Sequence, residues 1–188
     1  GAWSEGNLKG LLKDNNSLSC GMELPTDGKR YWEVYISSLA PNMIVGIKRT
    51  DRFVSDGCYT YSFYSTQGLF YRNGSGLGSY DSGDTTYATG DILGFAWDGT
   101  AGTLAYYKNN VLIYTETTID DDYRYVAAAG SEVDDNTCIF NFGQDSSFAG
   151  GKTSGSAAAS DGNSIGDFFY APPTDFLALC TSNMSAPA

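Results

Sequence analysis

One stretch constrains the fold more than any other. In Tyr31-Trp32-Glu33-Val34-Tyr35-Ile36-Ser37 the side chains alternate, with Trp32, Val34 and Ile36 on one face and Tyr31, Glu33 and Tyr35 on the other. A two-residue period belongs to an extended strand, where successive side chains point to opposite faces. Runs of the same kind recur over 43–47, 59–64, 68–72, 91–97, 103–108, 111–115, 124–128, 137–142 and 176–180, bounded by Gly, Asn, Asp, Ser or Pro. Asn109-Asn110 separates two of them as a tight hairpin turn, because Asn tolerates the left-handed backbone such turns need. Aromatics are 14% of the residues, and Leu, Glu, Lys and Ala never repeat at helical spacing over a long stretch. The prediction is an all-β fold of about ten or eleven strands with little helix, stacked as a two-sheet antiparallel β-sandwich. Alternation places Trp32, Val34, Ile36, Phe95, Leu104 and Tyr106 between the sheets.

A length of 188 residues suits one domain. The segment 149–166 is Gly, Ser, Ala and Asp with almost nothing apolar, so it reads as a surface loop rather than a boundary. An apolar C-terminal segment, 167–184, follows it. Phe168, Tyr170, Phe176 and Leu179 are expected to pack back on the sandwich, with 176–180 as a strand beside the N-terminal segment.

Charge excludes several partners. With 11 Lys+Arg against 22 Asp+Glu the net charge is −11. Nucleic-acid backbones and anionic membrane surfaces are therefore not expected partners. No apolar run is long enough to span a bilayer, and no basic region followed by an apolar stretch marks a leader in this segment. The chain has no histidine, which removes Ser-His-Asp and Cys-His nucleophile arrangements and His-containing zinc sites. Cys20, Cys58, Cys138 and Cys180 are widely spaced with no CxxC pair, and read as buried free thiols.

Several of these runs carry a family's landmarks. Gly28-Lys29-Arg30-Tyr31-Trp32-Glu33-Val34 resembles the G-x-x-Y-W-E-V strand of SPRY domains. Val45-Gly46-Ile47, Tyr61-Ser62-Phe63 with Gly68-Leu69-Phe70-Tyr71, Gly90 to Asp98, Thr103 to Asn110, and Asn141-Phe142-Gly143-Gln144 are similar to the landmarks that follow, in the same order. The resemblance covers residues 28–148 and implies a concanavalin-like sandwich acting as a non-catalytic recognition module, with ligand on loops at one end. The ending, Gly166-Asp167-Phe168-Phe169-Tyr170-Ala171-Pro172-Pro173 through Phe176-Leu177-Ala178-Leu179-Cys180, resembles that of SPRY-like domains in tailed-phage proteins. Asp175 stands where that pattern has Gly, and Met184 where it has Leu.

Candidate sites follow from residue type. Glycosidase chemistry needs two carboxyls facing across a sugar, and no strand of the E-x-D-x-E kind is present, so catalysis is not expected. Asp120, Asp122 and Asp134 lie in acidic clusters that could offer oxygens to Ca²⁺, although the spacing of a calcium loop is missing. No other cofactor is implied. Tyr59, Tyr80, Tyr87 and Tyr123 stand near Gly and Asp in predicted loops, where a ring can stack on a ligand. Tyr61 occupies a position resembling the peptide-contacting Tyr of some SPRY domains. Arg49 and Arg52 flank the turn after Val45-Gly46-Ile47 and could grip a carboxylate. Ligand contact is thus expected chiefly on the loops 49–58 and 78–87. The expected role is a recognition or structural module of a tailed-phage virion protein, in a tail fibre, baseplate or capsid-associated part. Its expected partners are other virion proteins or a host-surface protein or glycan. The alternative is a free-standing carbohydrate-binding lectin of concanavalin type.

Overall fold

The computed structural model describes residues 2–4, 8–13, 16–51, 61–65, 68–72, 86–131, 135–153 and 159–184. Thirteen strands run through them. They are β1 (Ala2–Ser4), β2 (Lys9–Leu12), β3 (Asn16–Glu23), β4 (Lys29–Ser38), β5 (Met43–Arg49), β6 (Tyr61–Tyr64) and β7 (Leu69–Arg72). β8 (Ile92–Asp98), β9 (Thr103–Lys108), β10 (Val111–Glu116), β11 (Tyr125–Ser131), β12 (Asn136–Asn141) and β13 (Leu177–Ala178) follow. The helix among the described residues is one 3-10 turn, Thr181–Asn183.

The strands form two sheets. The larger runs in the order β1-β2-β12-β4-β8-β9-β10 with β13 added beside β4, and the smaller in the order β3-β11-β5-β6-β7. Pairing is antiparallel throughout, except between β13 and β4. The predicted two-sheet sandwich is therefore observed. The strands absent from the sequence reading are β1, β2 and β3. Lys9-Gly10-Leu11-Leu12 is too short to show alternation and Asn16–Glu23 is rich in Gly, Ser and Asn, and both extend because β12 and β11 supply partners for their backbone groups.

Between the sheets lies an apolar core. Trp32, Val34, Ile36, Phe95, Leu104 and Tyr106 are all buried, facing Val45, Ile47, Phe63 and Ala127 of the smaller sheet. Trp32 and Phe95, direct partners in the β4–β8 register, stack with centroids 5.3 Å apart and planes 8° from parallel. Asn109 and Asn110 adopt φ of 49° and 68°, the left-handed pair that the β9–β10 turn requires.

The other face of β4 is buried too. Residues 159–184 cross the outside of the larger sheet and cover it. Phe168 is fully buried with its ring edge-on to Tyr31 at 5.3 Å, Tyr170 and Phe176 are half-buried, and Leu179 turns the other way into the core between the sheets. The expected neighbour of the last strand is corrected here: β13 pairs with β4, Leu177 opposite Arg30 and Ala178 opposite Tyr31, and not with the N-terminal segment. The reason is geometric. β12 stops pairing with β4 at Asn141–Glu33, so the first residues of β4 have free backbone groups there, whereas β2 is already flanked by β1 and β12. Asp175 takes φ 70°, a left-handed position, which explains the Gly of the pattern it departs from. Cys138 is a buried free thiol, pushed up to about 12 by burial, and Cys180 is free and half-buried. Cys58 and the side chain of Cys20 lie outside the described residues.

Candidate functional site

A cleft opens at the end of the sandwich where β5 and β8 finish and β11 begins. One wall is the β8–β9 turn, where Asp98 Oδ1 accepts the N–H groups of Thr100 (3.1 Å) and Ala101 (2.9 Å). This turn lies flat against Pro25 and Thr26. Trp97 Nε1 donates to Pro25 O at 2.7 Å, and Gly99 has no room for a Cβ because the Pro25 carbonyl occupies the space.

The opposite wall is the segment from β10 to β11. Glu116 Oε1 accepts both the N–H (2.8 Å) and the hydroxyl (2.7 Å) of Thr118. Tyr61 donates its hydroxyl to Thr118 O at 3.2 Å and accepts the Asp120 N–H at 3.0 Å, while Tyr125 donates to Asp120 O at 2.8 Å. Two buried tyrosines thus hold this wall by its backbone. Between the walls is a cavity of about 410 Å³ with Leu24, Trp97, Ile119 and Tyr125 along it and Asp120, Asp121, Tyr123 and Arg124 at its rim.

Charge around the cleft is one-sided. Arg49 Nε binds Asp51 at 2.9 Å and its guanidinium lies over the Tyr123 ring; the Asp51 bond raises its pKa above the ordinary arginine value. Arg124 pairs with Glu23 at 3.3 Å and Lys29 with Asp98 at 3.8 Å. The neighbouring cations are therefore met within the chain. Asp120, Asp121 and Asp122 bring carboxylate oxygens within 4.8 Å of one another.

The residues chosen from sequence divide accordingly. Arg49, Tyr123, Asp120 and Asp122 come together at this end. Tyr61 and Tyr87 are corrected: both rings are in the core, 1% and 3% exposed. Tyr61 faces inward by the alternation of β6 and serves as a strut for the cleft wall. Tyr87 donates its hydroxyl to Met43 O at 2.7 Å, at the start of β5 and so at the far end of the sandwich. Arg52, Tyr59, Tyr80 and Asp134 lie outside the described residues, as does most of the loops 49–58 and 78–87. Trp97 and Arg124 were not singled out from sequence as site residues. Trp97 closes a strand at a Gly turn, and that juxtaposition was the available signal.

A second polar centre was also missed. Glu33 is fully buried beneath the tail, where Oε2 accepts the N–H of Phe169 (2.9 Å) and Asn141 Nδ2 (3.2 Å), and Oε1 accepts the N–H of Tyr170 (2.8 Å) and the Tyr31 hydroxyl (3.4 Å). Burial raises its pKa to about 7 against the lowering effect of these bonds. Asp161 secures the far end of the tail by accepting the N–H groups of Asn163, Ile165 and Ala178 and the Asn183 amide. Burial opposes its ionisation, and the donors together outweigh that and hold its pKa below the usual carboxylate range. Asn141 Oδ1 accepts the N–H groups of Gly143 and Gln144, which explains the Asn of the Asn141-Phe142-Gly143-Gln144 stretch as a turn former.

Sheet order, register and inner faces define a class, the two-sheet antiparallel β-sandwich of concanavalin-like type. Within that class the chain has the SPRY fold. A human SPRY domain superposes with a TM-score of 0.52 at 14% identity, covering 66% of this chain and 82% of that one. The PSpry domain of TRIM65 superposes with a TM-score of 0.54 at 13% identity, covering 74% and 84%. At such identities the likeness is one of fold. No family model matches the sequence, and no curated protein matches it.

Proposed function

We propose that this domain is a non-catalytic recognition module that binds a protein segment bearing Lys or Arg side chains in the cleft between residues 97–102 and 119–125. The observation that carries this reading is the pairing of an apolar floor with an acidic rim whose neighbouring cations are already bound internally. A long basic side chain fits both parts, its methylenes along Leu24, Ile119 and Trp97 and its head at Asp120 and Asp121. The SPRY fold supports a protein partner. A sugar fits less well, because the Tyr123 face is covered by Arg49 and the Trp97 N–H is taken by Pro25. The reading needs no cofactor.

We place the module in the virion of a tailed phage, on the extracellular side if it is tail-associated. The support is the resemblance of residues 166–184 to phage SPRY-like endings. Amide-shift titration with Lys- and Arg-bearing peptides against Gln-substituted counterparts tests the cleft. Shifts at Asp120, Asp121 and Arg124, weakened at least tenfold by Asp120→Asn with Asp121→Asn, are expected. Equal binding of the Gln peptides, or shifts elsewhere on the sandwich, would refute the site, and selective binding on a neutral glycan array would favour a lectin. Mass spectrometry of purified particles, finding or not finding this domain's peptides, decides the virion assignment.

A further inference from the structure

The outer face of β4 holds a carboxylate in unusual surroundings. Glu33 is fully buried, and no Lys or Arg is ion-paired with it among the described residues. Its four partners are all donors on neutral groups, and two of them are backbone N–H groups of the tail itself, Phe169 and Tyr170. A buried carboxylate without a cation tends to neutralise by taking up a proton rather than remain charged.

The groups facing it sharpen this. From β4 comes Tyr31, from β9 Tyr107 behind Tyr31, and from the tail Tyr170 and Asp167, with Asp91 beyond Tyr170. Among the described residues two cations lie over rings on this face: Lys152, 5.3 Å from the centroid of the Tyr35 ring, and Lys29, 5.4 Å from that of Phe176 and paired with Asp98. Asp167 brings a buried Oδ1 that has no hydrogen-bond partner, and its backbone carbonyl shares the Asn141 amide with Glu33. Neither cation is paired with Glu33, whose acidic neighbours Asp167 and Asp91 carry its own sign. Tyr31 is the one contacting donor that can also accept, so a proton on Glu33 Oε1 finds its acceptor in the Tyr31 hydroxyl oxygen, the phenol turning its own hydrogen away.

We propose that the tail is a proton-linked latch: Glu33 holds a proton while residues 167–170 lie closed over it, and loss of that proton to water loosens this stretch ahead of the rest of the domain. The loosening is local because Asp161 independently ties Ala178 and Asn183. Lifting 167–170 alone gives the carboxylate access to water. This inference is independent of what the cleft binds.

Hydrogen exchange followed by NMR on the full chain tests it. Once corrected for intrinsic exchange, protection of the Phe169 and Tyr170 amides should fall by up to about tenfold per pH unit between roughly pH 4.5 and 7, then level off, as one linked proton requires. The Ala178 and Val34 amides should stay far better protected than 169 and 170 at every pH, because they open only with the tail's other anchor or with the whole domain, and Glu33→Gln should abolish the dependence at 169 and 170. PH-independent protection in the parent chain, or an equal dependence in E33Q, would overturn the latch. If E33Q does not fold, carbon-detected titration of Glu33 in the parent chain decides: a midpoint near 7 supports the proposal, and one between 4 and 5 refutes it.

Discussion

The two faces of β4 are equally buried and are held by different physics. Trp32, Val34 and Ile36 meet the smaller sheet through apolar contact, while Tyr31, Glu33 and Tyr35 meet the tail, where Glu33 accepts two backbone N–H groups. The inner face is non-directional and tolerates any side chain of suitable volume. The outer face is directional, since a carboxylate that loses its donors is left buried and unsatisfied. Packing therefore explains why the sheets adhere, and hydrogen bonding explains why the tail lies where it does.

The largest effect should come from removing the outer cover. Deleting residues 167–188 takes away Phe168 from the outer face and Leu179 from the core between the sheets, both buried, at roughly 1.5–3 kcal/mol each before any hydrogen bond is counted. Chemical denaturation should show a loss of several kcal/mol, and an unchanged midpoint would mean that the tail only decorates the sheet. Next is Trp32→Ala on the inner face, expected to cost about 3–5 kcal/mol by leaving a cavity against Phe95. A loss under about 1 kcal/mol would show a core that collapses freely, contrary to the stacking described.

Smaller effects separate the two faces by pH. Asp161 has a depressed pKa, so the stability it supplies is present above its unfolded value near 3.8 and is lost as pH falls through its folded value. Asp161→Asn should cost about 1–3 kcal/mol at neutral pH and remove part of the acid-side loss seen in the parent. Glu33 has the opposite sign. Its pKa is raised from 4.5 to about 7, so its contribution is greatest below pH 4.5 and is lost as pH rises through about 7. Trp32 variants should leave both limbs in place, because the inner face carries no titrating group of this kind. The smallest effect is expected on the exposed β10 edge, where Leu112→Ser should change stability by no more than about 0.5 kcal/mol.

This contrast also accounts for what could be read in advance. The inner face was legible because alternation assigns Trp32, Val34, Ile36, Phe95 and Tyr106 without knowledge of partners. The same alternation placed Glu33 between two tyrosines, yet nothing local says that residues 136 and 137 positions away will donate to it. Tyr61 failed as a surface candidate because a position matched to a family pattern does not reveal which side of β6 faces the core. The cleft was legible only in part: Arg49, Tyr123 and the acidic run at 120–122 were named, but Leu24 and Trp97 join them through a meeting of three turns distant in sequence. β2 and β3 escaped because their extension is imposed by β12 and β11 rather than by their own residues.

The pairing of Arg30 with Asn183, 153 residues apart, has a kinetic consequence. A nascent chain emerging at about 5–20 residues per second exposes β4 well before the segment that shields it exists. The alternating strand must wait with Tyr31, Glu33 and Tyr35 uncovered, and closing so wide a loop is slow compared with forming its hairpins. Until residue 183 has left the ribosome, this face is a sticky intermediate, and premature termination anywhere in the tail would release a chain with its outer sheet open.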